Sequence, residues 1–342
     1  MDDWRIPTDR PAVLITVARA DGSVPREPGA RMLVDAVGQW GTVGGGHLEL
    51  KGIEAARTML QNGDARRLER FPLGPSLGQC CGGVVHLAFE VVDRDGCAAL
   101  AARRHEDCWR IVALDGAPDA AVVDALGHVI VKRGGRYPDF ERSGGTRVLQ
   151  DDAGRRWLVD HVPAPREHVM LFGAGHVGAA IVRLLADLPC RVTWVDERED
   201  MFPAALPPNV VAEATDLPEM LASRAAPGTS FLVMTHNHAL DQRLTEAILK
   251  RPANQDWFGL IGSDTKRKQF EHRLRDRGIS RARLDDMVCP IGVPGIKGKE
   301  PAMIAVAVVA QLLMVWEAAA RSATTALPAA PATATPVFSE QH

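Results

Sequence analysis

The chain has 342 residues, enough for two domains of ordinary size, with 46% hydrophobic and 24% charged residues, 31 glycines and 23 prolines. Such a composition excludes a fibrous or mostly disordered chain. With 40 basic against 43 acidic residues the formal charge is −3, so no whole-molecule attraction to nucleic acid or an anionic membrane is expected. The opening MDDWRIPTDR is acidic and polar where a secretory signal would be basic and then apolar. Six cysteines without an export signal argue against a disulfide framework, and a cytoplasmic location is expected.

In chain order, residues 12–20 and 30–38 read as strands joined by the turn-rich DGSVPREPG. A helical pattern follows from His47 to Asn62, with Leu48, Ile53, Ala56, Met59 and Leu60 near a 3–4 spacing and Gly63 as its stop. ARRLERFPL and VVHLAFEVVD are further strands, flanking the loop GPSLGQCCGG at 74–83. Residues 97–162 suggest a short Ala-rich helix and then several strands ending in RRWLVDHV, before the Pro-containing linker PAPREH at 163–168.

Beyond that linker strands and helices alternate: VMLFGAG, HVGAAIVRLLADL, RVTWVDER, NVVAEA, SFLVMTHN and WFGLIGS. Such alternation predicts a parallel, doubly wound sheet. The fold class expected is therefore α/β: an N-terminal mixed α/β domain (1–163), a C-terminal Rossmann-like domain (164–320) and a disordered Ala/Pro/Ser/Thr-rich tail (321–342). The apolar run 302–316 falls short of the about 20 residues of a bilayer span and is broken by Gln311, so it reads as a buried helix.

Gly173, Gly175 and Gly178 form G-x-G-x-x-G between an apolar strand and a helix, with His176 among them and Asp196 at the end of the next strand. Each element has a role in dinucleotide binding: a tight turn, close approach to a phosphate, close packing, and an acid for a ribose hydroxyl. The same glycines would also serve packing alone, because fold does not fix ligand. Arg198 suits a 2′-phosphate and equally a solvent-facing position.

The strand SFLVM ends in Thr235, His236, Asn237, His238 and Asp241, where strand ends of a doubly wound sheet meet ligands. His236 and His238 would make an H-x-H metal pair, but no third ligand accompanies them. In GLIGSDTKRKQF, Ser263 or Asp264 is the expected helix cap, with Phe270 and Leu274 facing the core. Lys266, Arg267 and Lys268 sit in the first turn, against the helix dipole, which hints at an anion unless they are simply solvated. Without interleaved exposed aromatics, nucleic-acid binding is not expected. Gly44, Gly45 and Gly46 stand before the first helix, either as an anion nest or as a turn that needs positive φ. Cys80 and Cys81 are adjacent, which suits neither an ordinary disulfide nor a C-x-x-C zinc pair. A thiol there would be a nucleophile, a sulfur carrier, a soft-metal ligand or an inert buried group.

Together GSVPREPGARMLV, GTVGGGHLE, QCCGG, FGAGHVG, THNHALD, LIGSDTKRKQF and CPIGVPGIKGKEPAMIAVAVVAQLL resemble the XdhC/CoxI family of molybdoenzyme accessory proteins, over about residues 10–316. The resemblance implies a chaperone that binds the molybdenum cofactor (molybdopterin), rather than a catalyst. It also implies sulfuration of that cofactor by a cysteine desulfurase and insertion into the molybdenum subunit of xanthine dehydrogenase. Cys81, immediately before Gly-Gly, is the family-like cysteine and the expected contact to the cofactor's molybdenum, with no fixed protein metal site. Gly44, Gly45, Gly46, Gly173, Gly175, His176, Gly178 and Asp196 are the expected cofactor-binding residues, with His236, His238, Ser263 and Arg267 on the rim. NAD(P) is a further candidate ligand, and a homodimer through 302–316 is expected. The alternatives are an NAD(P)-dependent oxidoreductase, favoured by the glycine fingerprint, and a redox or zinc regulator built on Cys80, Cys81 and the histidine pair.

Overall fold

The structure, a computed structural model, describes residues 4–74, 82–252 and 256–326. The chain divides into two compact units, Met1–Ala164 and Pro165–His342. The first opens with β1 (Ala12–Asp21), β2 (Arg31–Asp35), β3 (Gln39–Gly41), α1 (Gly46–Asn62), β4 (Arg66–Pro72) and β5 (Val84–Val91). These strands make an antiparallel sheet ordered β3-β2-β1-β5-β4. After α2 (Arg94–Ala102) come β6 (Cys108–Ala113), β7 (Ala120–Asp124), β8 (Val129–Arg133), β9 (Arg147–Gln150) and β10 (Arg156–Val162). They form a second antiparallel sheet, ordered β8-β7-β6-β10-β9.

Strand β1 is buried from Ala12 to Ala18, apolar but for Thr16, because both of its faces are covered there. Val13, Ile15 and Val17 pack on Leu48, Ile53, Ala56 and Met59 of α1. Leu14 and Ala18 face the second sheet, beside Val122 and Val112. That inter-sheet layer is not wholly apolar. Arg31 and Arg110 both pair with Asp160, at 2.6 and 2.8 Å, and Arg110 also pairs with Glu90. All four are buried.

The second unit contains β11 (Glu167–Phe172), α3 (His176–Leu185), β12 (Cys190–Asp196), β13 (Val210–Ala214), α4 (Pro218–Arg224) and β14 (Thr229–Val233). It continues through α5 (His238–Leu249), β15 (Trp257–Leu260), α6 (Asp264–Asp276), α7 (Arg281–Asp285), β16 (Met287–Val288) and α8 (Pro301–Ala326). All six strands are parallel, in the order β13-β12-β11-β14-β15-β16. One face of the sheet is packed by α3 and α8, through Ile181, Leu185, Val308 and Leu312. The other is packed by α4 to α7, through Ala222, Leu244, Phe270 and Leu284. The fold is α/β as expected, with a doubly wound Rossmann-type sheet in the C-terminal half.

Two boundaries differ from the sequence expectation. Strand β11 begins at Glu167, paired with Cys190, so the last two residues of the expected linker belong to the sheet. Helix α8 runs on to Ala326, past the expected start of a disordered tail at 321, because EAAARSATTA is rich in the best helix former. The remaining tail, 327–342, lies outside the described residues.

The span argument also changes. Pro301–Ser322 is 22 residues with a mean hydropathy of 2.0, long and apolar enough to cross a bilayer by those criteria. Its stripe Ala305, Val308, Val309, Leu312 and Trp316 is nonetheless built into the core beside α3. Gln311, the polar break, accepts a hydrogen bond from the Gly292 amide (2.8 Å), and Trp316 Nε1 donates to Ser230 Oγ (3.2 Å). Those partners explain why a polar residue sits in so apolar a helix.

Candidate functional site

The strand order reverses between β11 and β14, and at such a point the loops from neighbouring strand ends diverge to leave a crevice. A narrow cleft is found there, walled by Phe172, Val195, Pro218, Leu240 and Leu244 and edged by Gly173, Asp196, Glu197, Thr235 and His236.

The glycines have three separate tasks. Gly173 has φ +118°, and a Cβ on it would lie 2.4 Å from the Met234 carbonyl oxygen. Gly178 is inside α3, where a Cβ would lie 2.2 Å from the Gly173 carbonyl oxygen and 3.4 Å from Trp194 Nε1. Trp194 Nε1 donates to that same carbonyl (3.1 Å), so helix, turn and strand are locked together. Gly175 caps α3 with no side-chain hydrogen bond, and the space its Cβ would enter is open. The first amides of α3 therefore face open space, with the positive end of the helix dipole directed there.

This separation predicts different outcomes for two similar variants. Gly178→Ala is expected to cost about 1–3 kcal/mol through overpacking, read as a lower unfolding midpoint. Gly175→Ala, at an ordinary φ of −76° and with open space for its Cβ, should leave stability within about 0.5 kcal/mol by the same measurement. Equal stability losses in both variants would contradict this division of labour.

Asp196 is buried at the end of β12, and its carboxylate is fully engaged. Oδ2 accepts from the Ala174 amide (2.7 Å) and from Arg198 Nη2 (3.1 Å). Oδ1 accepts from the Arg198 amide (3.0 Å) and Nε (2.9 Å). Burial acts to raise its pKa, but the Arg198 guanidinium and the two amides outweigh burial and hold the group below its ordinary value.

His236 reaches the cleft edge, whereas His238 is exposed at the start of α5. Asn237 is the cap of that helix, accepting from the amides of Ala239 (2.8 Å) and Leu240 (3.2 Å). Among the described residues no group of three His, Cys, Asp or Glu side chains is placed to hold a metal ion. His176, in the first turn of α3, is exposed.

Ser263 caps α6 by accepting from the Lys266 amide (3.3 Å). Arg267 is held by Glu271 (2.8 Å) and the Cys289 carbonyl (3.2 Å) and does not line the cleft. Lys266 departs most from expectation. It is buried, and its Nζ donates to Asp241 Oδ2 (2.6 Å) and the Ile261 carbonyl (2.9 Å), so its charge is answered inside the chain rather than by an external anion. In the sequence Asp241 is one polar residue of the strand-end segment. It also accepts from the Thr235 amide (3.0 Å) and hydroxyl (2.6 Å), thereby fixing the loop that edges the cleft.

In the N-terminal unit Gly44, Gly45 and Gly46 all have positive φ, at +132°, +74° and +62°. The Gly44 amide donates to Thr42 Oγ1 (3.1 Å) and the Gly45 amide to Glu49 Oε2 (3.0 Å). Two amides of the expected anion nest thus have acceptors within the chain, and the geometry is that of a tight turn. Cys80 and Cys81 lie outside the described residues. Cys97, Cys108, Cys190 and Cys289 are buried, and burial pushes their thiols up to about 11, 11, 12 and 11. None of these four offers a thiolate near neutral pH.

Residues 169–312 match the model of the XdhC Rossmann domain, and residues 6–72 match that of the XdhC and CoxI family. The chain belongs to the XdhC and CoxI family. Its XdhC Rossmann match covers the glycine turn, Asp196, the Thr235–Asp241 segment and the Ser263–Arg267 segment together. The chain is 30% identical over 185 residues to the uncharacterized protein YqeB of Escherichia coli (strain K12), a match covering 51% of this chain. It spans only 32% of that relative's length. It is 25% identical over 325 residues to a Bacillus subtilis (strain 168) protein named as a probable xanthine dehydrogenase subunit, covering 88% and 92% of the two chains. A Bacillus halodurans crystal structure described as a xanthine dehydrogenase shares the fold, with a TM-score of 0.70 at 21% identity over 91% of this chain and 93% of that one.

Proposed function

We propose that the chain is an accessory protein of xanthine dehydrogenase. In this reading it binds the molybdenum cofactor, supports its sulfuration by a cysteine desulfurase and delivers it to the dehydrogenase's molybdenum subunit. The observation that carries the reading is the family match in both units, supported by an alignment along 88% of the chain with a relative named for the dehydrogenase. The residues suit such cargo. The uncapped start of α3 beside Gly175 can hold a phosphate group. Burial raises the thiol pKa of the four described cysteines, and Cys81 is the cysteine that the family resemblance assigns to the metal. In this assignment Cys81 contacts molybdenum or holds the sulfur to be delivered.

Anaerobic co-purification tests it, with molybdenum and the oxidised pterin fluorophore measured per chain for the native protein and Cys81→Ala. Near-stoichiometric cofactor in the native protein and its loss in Cys81→Ala are expected. A native protein free of both, even after reconstitution, would sink the reading.

The rival reading, an NAD(P)-dependent oxidoreductase, is favoured by the apolar cleft at the strand-order reversal. Against it, the titratable groups edging that cleft are Asp196, Glu197 and His236, and the first is already tied to Arg198. Hydride transfer by purified protein would decide for it.

A further inference from the structure

We infer that the C-terminal unit binds an adenine dinucleotide phosphorylated on its ribose edge, and that Arg198 reads that phosphate. The inference goes beyond the molybdenum reading and is tested apart from it, although both place a phosphate at the start of α3, where the two ligands would compete. In a Rossmann-type unit the carboxylate ending the second strand normally accepts from the ribose hydroxyls. A carboxylate has about four lone-pair sites, and all four of Asp196 are filled here, two by backbone amides and two by one guanidinium. An unmodified ribose would find no acceptor unless it broke the two-pronged, charge-assisted pair with Arg198.

Arg198 is placed differently. Its side chain is 38% exposed although Asp196 is only 3% exposed, and its Nη1 makes no hydrogen bond among the described residues. A phosphate on the ribose can take Nη1 while Nε and Nη2 stay on Asp196, so the phosphorylated sugar gains a contact where the plain one loses an acceptor. Asp196 then serves as the clamp that holds both Arg198 and the Ala174 amide of the glycine turn in register. Beyond the carboxylate, Val195, Pro218, Leu240 and Leu244 offer apolar walls suited to a flat base. The open turn at Gly175 lies ready for the diphosphate.

The test is calorimetric titration of cofactor-free full-length protein with NADPH and NADH, repeated with 2′-phospho-ADP-ribose and ADP-ribose to remove the nicotinamide. Preference for the 2′-phosphorylated member of each pair by about tenfold or more is expected. Arg198→Ala should bring each pair to within about threefold, and Arg198→Lys should fall between, because it keeps the charge but loses the fork. Arg198→Ala should lower the unfolding midpoint, because Asp196 keeps only the Ala174 and Arg198 amides as donors, so affinities are compared at a temperature where native protein and both variants are fully folded. Equal native affinities, tighter binding of the unphosphorylated member, or no binding of any of the four would overturn the inference. Molybdenum and pterin content, measured separately, would be untouched by that failure.

Discussion

Replacing Asp160 by alanine is expected to cost the N-terminal unit about 3–5 kcal/mol, since removing one partner of a buried ionic group strands the others without water. Asp160 is fully buried on β10 and accepts from Arg31 (2.6 Å and 3.1 Å), Arg110 (2.8 Å and 3.2 Å) and Thr146 Oγ1 (2.9 Å). Without it, Arg110 would keep Glu90, whereas Arg31 would keep only the His161 carbonyl (3.1 Å) and no carboxylate. The ring of Trp4 lies 4.7 Å from Arg31 and 5.3 Å from Arg110, so its fluorescence reports on the cluster. Asp160→Asn, which keeps an acceptor but not the charge, should fall between the native protein and Asp160→Ala in urea unfolding. A loss below about 1 kcal/mol in Asp160→Ala would show that the cluster is relaxed or hydrated.

The same cluster gives a pH dependence of definite sign. Burial acts to raise the pKa of Asp160, but the charges of Arg31 and Arg110 outweigh burial and hold it below the ordinary value of 3.8. A carboxylate depressed in the folded state contributes stability that is present above its unfolded pKa and lost as pH falls through its folded one. The N-terminal unit should therefore keep this contribution at neutral pH and lose it only in acid, below the usual carboxylate range. In Asp160→Asn that part of the acid sensitivity should vanish.

What the sequence disclosed follows from how local each feature is. The glycine turn, Asp196 at the end of β12 and the cap Ser263 are set by neighbours a few residues away, so spacing reveals them. The Arg31–Asp160 pair joins residues 129 apart on different sheets, and nothing near either one announces the other. Lys266 carried a signal that a charge count hides. It stands four residues before Phe270 and eight before Leu274, on the apolar stripe of α6, so its side chain turns inward however basic the rest of the run is. The clamp of Arg198 on Asp196 is equally local, two residues apart, yet spacing alone does not show that every carboxylate site is filled. The apolar walls of the cleft come from Pro218, Leu240 and Leu244, on helices brought to the strand ends only by the sheet order.

Lys266→Met is the corresponding experiment for the C-terminal unit, with an expected loss of about 3–5 kcal/mol. Asp241 would be left 1% exposed with only the amide and hydroxyl of Thr235 as donors, too little to offset a buried charge. The effect should also reach the site. Asp241 holds Thr235 at the edge of the cleft, while Lys266 ties it to the Ile261 carbonyl at the end of the next strand, so one ion pair joins two loops at the strand ends. Pairing Lys266→Met with Asp241→Asn removes both charges and leaves Thr235 an acceptor. The double variant should therefore recover a large part of the stability lost by Lys266→Met, giving a coupling energy of about 1–3 kcal/mol in a double-mutant cycle. Additive losses would mean that the two side chains act separately. If the double variant regains stability but not binding of 2′-phospho-ADP-ribose, the charge on Lys266 fixes the loop geometry that the ligand needs. If it regains both, the pair acts only by holding the loops in place.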